Sequence, residues 1–469
     1  MFRIELPAGT HYASMWGIPD QYAGMTASML QRSRAFVQHG GVEVTVLTYE
    51  HRNDYDPLRK RLRDNGAMID GMRLINLWED VRSWDDNQLQ KAVPTFGHPV
   101  PDWFEPLGNR GVATGPMIRE SRDEDGRYLQ LDYFRADGTL LASDQKHAGE
   151  RAVVLCDTAG EPMGMWSWAS NLYSLWLDTL PRDPVAWIIA DSKTSANTLV
   201  QYARPDVAKL HVVRGSHLKR GTGRPIGKLV KTRRRVMEHL DAWDSVIFLT
   251  KGQKDDVEAL LGPRDNLKVI PNSRNVPDEL TGLDRPTGRG VMVASLVYRK
   301  RIDHAIRAMA QARGRRLFWK GKLEVWGRGP LRNKMNLRIK RWRAPVKLRG
   351  HSPTAAEEFA NASFSLFTSS AEAFGNVLIE SMGRGCIPIS YDMPYGPSDI
   401  ITDGVDGYLI PNGDIDALSE RIATVVAATP EQLAPLREAG HKRALDFSDE
   451  RVLQLWSSTL AEVAERRGF

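Results

Sequence analysis

Short β-rich apolar runs alternate with stretches of helical period along most of the chain. Phe2–Pro7 reads as a first strand, followed by a polar, glycine-containing loop over 9–24 and a helix from Met25 to His39. Val42–Tyr49 and Met72–Trp78 read as the next strands. A β-loop-α-β order of this kind opens a doubly wound lobe. Between about Trp84 and Ser170 the pattern changes to short alternating segments punctuated by Asp125-Gly126, Asp137-Gly138 and Ala159-Gly160. These are hairpin signals, and they predict an antiparallel β insertion with strands at Tyr128–Phe134, Thr139–Ser143 and Ala152–Cys156.

Strand-helix alternation resumes with Val185–Ala190, Leu210–Val213, a helix near Lys231–Leu240, Ser245–Leu249 and Leu267–Ile270. The Pro-, Gly- and Asp-containing segment Pro277–Gly290 reads as a linker between lobes. Beyond it come Val291–Leu296, Leu323–Trp326, Val346–Arg349, Ser365–Phe367 and Ile387–Ser390, with helical patterns between them. A final amphipathic helix is expected over about Glu450–Arg466. The implied organisation is an α/β protein with a first lobe in two parts (1–83 and 171–280), an insertion (84–170), a second lobe (290–447) and a C-terminal helix (448–469). A chain of 469 residues is too long for one core, which agrees with this division.

The net charge of +6 matters mainly through its distribution. Lys219, Arg220, Arg224, Lys228, Lys231, Arg233, Arg234 and Arg235 fall in one run without an acidic residue, and a second such run spans Arg328 to Arg349. A solvated face and an anion-binding face are both open readings of such runs, and their position beside the chemistry-bearing motifs favours anion binding. The anion could be a donor diphosphate, a polymeric acceptor phosphate or acidic lipid headgroups. Cys156 and Cys386 lie in separate apolar runs and read as buried free thiols of a reducing cytoplasm. The first residues lack the pattern of a secretory signal, and no apolar run approaches the roughly 20 residues that span a bilayer.

The densest chemistry lies in Glu372-Ala-Phe-Gly-Asn-Val-Leu-Ile-Glu380. The apolar helical pattern begins after Phe374-Gly375-Asn376, so Glu372 is expected in a loop at a helix mouth and Glu380 inside the helix. First-turn amides suit a phosphate, and carboxylates suit neighbouring hydroxyls. A nucleotide sugar offers both. Further on stand Tyr391-Asp392, Tyr395-Gly396-Pro397-Ser398-Asp399-Ile400-Ile401, Asp403-Gly404 and Gly407-Tyr408-Leu409. Together these motifs resemble the retaining glycosyltransferases of family 4, in the branch of the poly(glycerol-phosphate) α-glucosyltransferases that modify wall teichoic acid. A related branch glycosylates Ser/Thr-rich adhesins.

The resemblance implies the GT-B architecture of two Rossmann-like lobes, a UDP-sugar donor (UDP-glucose or UDP-N-acetylglucosamine), no resident cofactor and no metal. It implies that Glu380 binds ribose hydroxyls and Glu372 sugar hydroxyls, with Phe374, Gly375 and Asn376 around sugar and phosphate. Gly327, Arg328 and Gly329 follow a strand and open a helix on the donor side, and His351 lies beside the nucleotide base. Gly24, in a Gly-Met-Thr turn, stands at a helix mouth of the first lobe, and His217 matches the active-site histidine. The family neutralises the leaving diphosphate with an Arg and a Lys five residues apart. Lys300 matches the lysine, whereas Ser295 stands at the arginine position and cannot replace a guanidinium. Arg299, Arg301 and Arg328 are the nearby cations.

Lys219, Arg220, Arg224 and Lys228 are the expected track for a polyanionic polyol-phosphate acceptor beside His217. A Ser/Thr-rich protein acceptor, or a non-catalytic partner disabled by Ser295, are the alternatives. Asp191 ends a strand and reads either as acceptor polarity or as a cap. Asp54-Tyr55-Asp56 has the spacing of a metal motif but lies in a charged turn without supporting context. The expected partners are the donor, the acceptor polymer, further copies of the chain through the β insertion and the inner face of a membrane, with no nucleic acid.

Overall fold

The computed structural model describes residues 3–469 apart from 23, 53, 109, 116, 220, 286, 316 and 317. The first lobe is built on a parallel sheet of β1 (Thr10–Met15), β2 (Val44–Thr48), β3 (Met72–Asn76), and, after an insertion, β10 (Ala186–Ala190), β11 (Val207–Val213), β12 (Ser245–Phe248) and β13 (Leu267–Val269). Its order is β13-β12-β11-β10-β1-β2-β3, so β1 is an interior strand flanked by β10 and β2. The insertion is an antiparallel meander of β4 (Val112–Gly115), β5 (Ile118–Arg122), β6 (Tyr128–Phe134), β7 (Leu140–His147), β8 (Glu150–Cys156) and β9 (Pro162–Trp166). The second lobe carries β14 (Arg289–Val293), β15 (Lys322–Trp326), β16 (Val346–Gly350), β17 (Phe364–Phe367), β18 (Ile387–Asp392) and β19 (Tyr408–Pro411). That sheet is also parallel, in the order β16-β15-β14-β17-β18-β19.

The first strand is not Phe2–Pro7, as its apolar pattern suggests, but Thr10–Met15. The described residues 3–9 carry no strand, and Ile4 N–H donates to the His39 carbonyl instead. An interior parallel strand is buried on both faces, so polar residues in it must be satisfied internally. His11 meets the Pro7 carbonyl at 3.1 Å, and the Ser14 hydroxyl meets that of Tyr49 at 3.1 Å. These pairings let a strand containing His and Ser occupy a core position that pattern reading assigns to a loop.

In the insertion, Gly126, Gly138 and Gly160 all adopt positive φ in the hairpin turns, as the sequence signals predict. The β7–β8 turn at Ala148-Gly149 lacked such a signal, with Ala148 itself at φ 49°. The Trp78 and Tyr133 rings stack at 3.6 Å and join the insertion to the first lobe.

The helix Asp449–Arg467 lies on the first-lobe helix Met25–Gln38. There Trp456 meets Phe36 edge to face and covers the Arg32 guanidinium. Lys268 and Glu462 add an ion pair at 2.5 Å across the same junction.

Candidate active site between the lobes

β17 ends in a loop that leads to the short helix Asn376–Met382. Glu372 sits in that loop and Glu380 in the helix. Two backbone bonds pin the loop: Glu372 N–H donates to the Pro394 carbonyl (3.1 Å), and Tyr395 N–H donates to the Glu372 carbonyl (3.0 Å). Gly396 is required here, because a Cβ would lie 1.4 Å from the Phe374 carbonyl oxygen.

The turn Tyr298–Lys300, just past β14, delivers two cations to Glu372. Lys300 Nζ donates to Oε1 at 2.6 Å and Arg299 Nη1 to Oε2 at 2.9 Å. Arg299 also donates to the Ala371 carbonyl, and its own carbonyl accepts from Ser370 N–H at 2.8 Å. Burial pushes the Glu372 carboxyl up, but Lys300 and Arg299 outweigh it and hold the group below the usual range. Ser295 is exposed. Arg301 turns away, donating to the Asn412 side chain at 2.6 Å. Arg328 is exposed, and its guanidinium has no ion-pair or hydrogen-bond partner among the described residues.

Gly327 and Gly329 line the same strand ends for a backbone reason. A Cβ at Gly327 would lie 2.0 Å from the Ala294 carbonyl oxygen, and one at Gly329 2.5 Å from that of Leu296. Ala294 N–H and Leu296 N–H donate to the Trp326 and Arg328 carbonyls, which locks the two loops together. His351 lies exposed just past β16. Phe374 is buried against Phe447.

Glu380 is not free. Arg274 Nε lies 3.0 Å from its Oε1. Burial is the main reason that the Glu380 carboxyl is raised above its ordinary range, the arginine opposing it. The pair opens a polar chain across the lobe junction. Arg274 and Asn376 Nδ2 both donate to Ser28 Oγ, Asn272 Nδ2 donates to Asn376 Oδ1, and Arg214 donates to Asn272 Oδ1. The chain ends at Asp191, which is fully buried between Arg32 (2.7 Å) and Arg214 (2.7 Å). Asp191 is therefore neither an acceptor contact nor a helix cap, the cap being Ser192, but a buried ion-pair centre. Gly24, at the mouth of the helix Met25–Gln38, has φ 52° and open space around it.

His217 is fully buried and stacks on Tyr395 with ring centroids 6.2 Å apart. Neither ring nitrogen has a hydrogen-bond partner among the described residues, and burial lowers its pKa to about 4. It is a neutral imidazole whose two nitrogens are buried and unpartnered among the described residues. Of the expected acceptor track, Lys219 and Lys228 are exposed, and Lys219 N–H donates to the Lys228 carbonyl at 2.7 Å. Arg220 lies outside the described residues. Arg224 is exposed as well, but its guanidinium is engaged within the protein. Its Nε donates to Asp256 Oδ2 at 2.5 Å and its guanidinium covers the Tyr395 ring. Asp56, of the Asp-x-Asp sequence, pairs with Arg59 at 2.9 Å.

Sequence reasoning missed Arg274, Arg214 and Asp256, since nothing in one sequence distinguishes a buried arginine or aspartate from a surface one. Tyr395 stood inside a quoted motif, but its contact with the first lobe required the fold.

Residues 288–443 match the family model of the glycosyl transferases group 1. The chain is 21% identical to the poly(glycerol-phosphate) alpha-glucosyltransferase of Bacillus subtilis, over 99% of this chain and 76% of the relative. It is 23% identical to the poly(ribitol-phosphate) alpha-N-acetylglucosaminyltransferase of Staphylococcus aureus, over 92% of this chain and 96% of the relative. A third relative, an exopolysaccharide phosphotransferase of Streptomyces coelicolor, is 31% identical over 54% of this chain, which spans only 26% of that protein. Among solved structures, a mutant of S. aureus TarM in complex with Fondaparinux, alpha-GlcNAc-glycerol and UDP superposes with a TM-score of 0.71 at 19% identity, covering 97% of this chain and 100% of that one. The second lobe thus belongs to the group 1 glycosyl transferases, and the chain as a whole has the GT-B fold.

Proposed function

We propose that this protein is a retaining α-glycosyltransferase that moves glucose or N-acetylglucosamine from a UDP-sugar to a hydroxyl of a polyol-phosphate polymer. The observation that carries the reading is the loop carboxylate Glu372 held by Lys300 and Arg299 at the lobe junction. It joins a hydroxyl acceptor to two cations that can stabilise a departing diphosphate. Relatives of the same named chemistry, aligned over nearly the whole chain, support the acceptor class.

In this reading the C1–O bond of the donor breaks with its electron pair passing to the β-phosphate oxygen. The acceptor oxygen forms the new bond to C1 on the same face, and its proton passes to the departing phosphate. No protein carboxylate acts as nucleophile. Glu380 addresses the ribose, which requires it to exchange its bond to Arg274 for hydroxyls, and His217 offers its free nitrogens to the sugar. Lys219 and Lys228 lie along the acceptor. Gly24 and the amides near Gly375 and Asn376 approach the phosphates, while Arg328, between Gly327 and Gly329, and His351 stand on the nucleotide side.

The reading places the protein in the cytoplasm at the inner face of a membrane. Support comes from the basic helix Arg332–Trp342, with Leu337 exposed among its lysines and arginines. Self-association through the β insertion is supported by the exposed apolar side chains Val112 and Leu129 on β4 and β6. Calorimetric titration with the UDP-sugar, together with turnover, tests the donor site: Glu372→Ala and Glu380→Ala should each weaken donor use, and unchanged affinity and turnover in either would refute the assignment.

A further inference from the structure

The Tyr-Gly-Pro-Ser-Asp block of the second lobe docks on the first lobe. Tyr395 Oη donates to Asp256 Oδ2 at 2.6 Å, and Arg224 Nε donates to the same oxygen. Asp256 lies on the helix Lys251–Leu261, whose Gly252 N–H donates to Asp399 Oδ1 of the same block at 3.2 Å. The same helix holds the end of β11 through Gln253, whose side-chain amide donates to the Gly215 carbonyl at 2.9 Å. Arg224 also covers the Tyr395 ring at 4.6 Å, and His217 stacks on that ring.

Tyr395 is joined on its other side to the donor loop, because its N–H donates to the Glu372 carbonyl. One buried tyrosine therefore touches the donor loop, the unpartnered His217 and the basic segment. That segment is a closed loop, bridged at Leu218 and Leu229 and by the Lys219–Lys228 backbone bond; Leu229 packs on the first-lobe core at its base, and Arg224 ties its outer part to Asp256. A hydroxyl and a guanidinium sharing one carboxylate oxygen form a charge-assisted unit whose members are expected to be energetically coupled.

We propose that Tyr395 is a positioning residue that fastens the basic loop 218–229 to the donor lobe through Asp256 and Arg224, so that a polyanionic acceptor lying along Lys219 and Lys228 reaches the sugar held at Glu372. The proposal rests on the function proposed above and adds a residue whose side-chain hydroxyl acts on the acceptor side, its backbone N–H being bonded to the donor loop. It distinguishes Arg224, which holds the loop, from Lys219 and Lys228, which face the polymer.

The test uses the full chain with UDP-sugar and poly(glycerol phosphate). Tyr395→Phe keeps the ring and removes the hydroxyl, and Arg224→Gln removes the anchor. Each should raise the acceptor KM about tenfold, leave the calorimetric Kd for UDP within about twofold, and the double variant should be no worse than the weaker single variant. Retained UDP affinity also reports that the variants fold. Unchanged acceptor KM in Tyr395→Phe, an equal weakening of UDP and acceptor, or additive effects of the two substitutions would each overturn the proposal. A wild-type protein that releases no UDP with this acceptor would instead refute the proposed function and this inference with it.

Discussion

Lys300 and Glu372 meet at 2.6 Å, and Arg299 takes the other carboxylate oxygen. On the proposed function, Arg299 takes the part of the arginine whose place Ser295 occupies. The turn that carries Lys300 brings a guanidinium one residue earlier in the chain to the same carboxylate. Arg299 is half exposed, so its other nitrogens remain available to an anion. Lys300→Ala should reduce the turnover number for UDP release on the order of 100-fold. Arg299→Gln should reduce it at least about tenfold, and Ser295→Arg in that background should recover much of the loss. Arg328→Gln causing the larger loss, with Arg299→Gln neutral, would assign the role to Arg328.

Glu380 and Arg274 form a buried pair, and removing one partner leaves the other charge uncompensated. Glu380→Ala should lower unfolding stability by about 3 kcal/mol as well as weaken UDP binding. Replacing both, as Glu380→Met with Arg274→Met, should recover stability without recovering UDP affinity. Urea denaturation and calorimetry on the same variants separate the two effects, and recovery of UDP affinity together with stability in the double variant would make Glu380 purely structural.

The chemistry was more legible than the wiring beneath it. The loop position of Glu372, the helical position of Glu380 and the parallel lobes followed from period, glycine placement and family resemblance. The first strand did not, because Thr10–Met15 satisfies its polar groups inside the sheet, so burial there is not written as hydrophobicity. The Asp191 centre was equally hidden. Arg32, Asp191 and Arg214 are far apart in sequence, and their contact is set by the packing of β10 and β11 with the first helix.

Acid should destabilise the fold through histidines. His11, His211 and His217 each have a pKa lowered to about 4, chiefly by burial, against the ordinary 6.5. Between those values the unfolded chain binds more protons than the native one, so stability rises with pH there. This contribution is complete above pH 6.5 and is lost as pH falls toward 4. Urea midpoints at pH 7.0, 6.0 and 5.0 should decrease in that order, with net proton uptake on unfolding, and a flat profile would contradict the burial of these rings.

Acceptor binding should weaken with salt, since exposed charges such as Lys219 and Lys228 are screened within about 10 Å at 0.1 M. Lys219→Gln with Lys228→Gln should raise the acceptor KM and flatten its salt dependence, leaving UDP affinity unchanged. An acceptor KM indifferent to ionic strength would remove the basic loop from the acceptor path.

The most direct measurement is UDP release, with product mass, from UDP-glucose and from UDP-N-acetylglucosamine, each with and without poly(glycerol phosphate). The account predicts acceptor-dependent release from one donor, with a mass gain of the matching hexose or N-acetylhexosamine on the polymer. Folded protein that binds UDP yet releases none from either donor with this acceptor would contradict it.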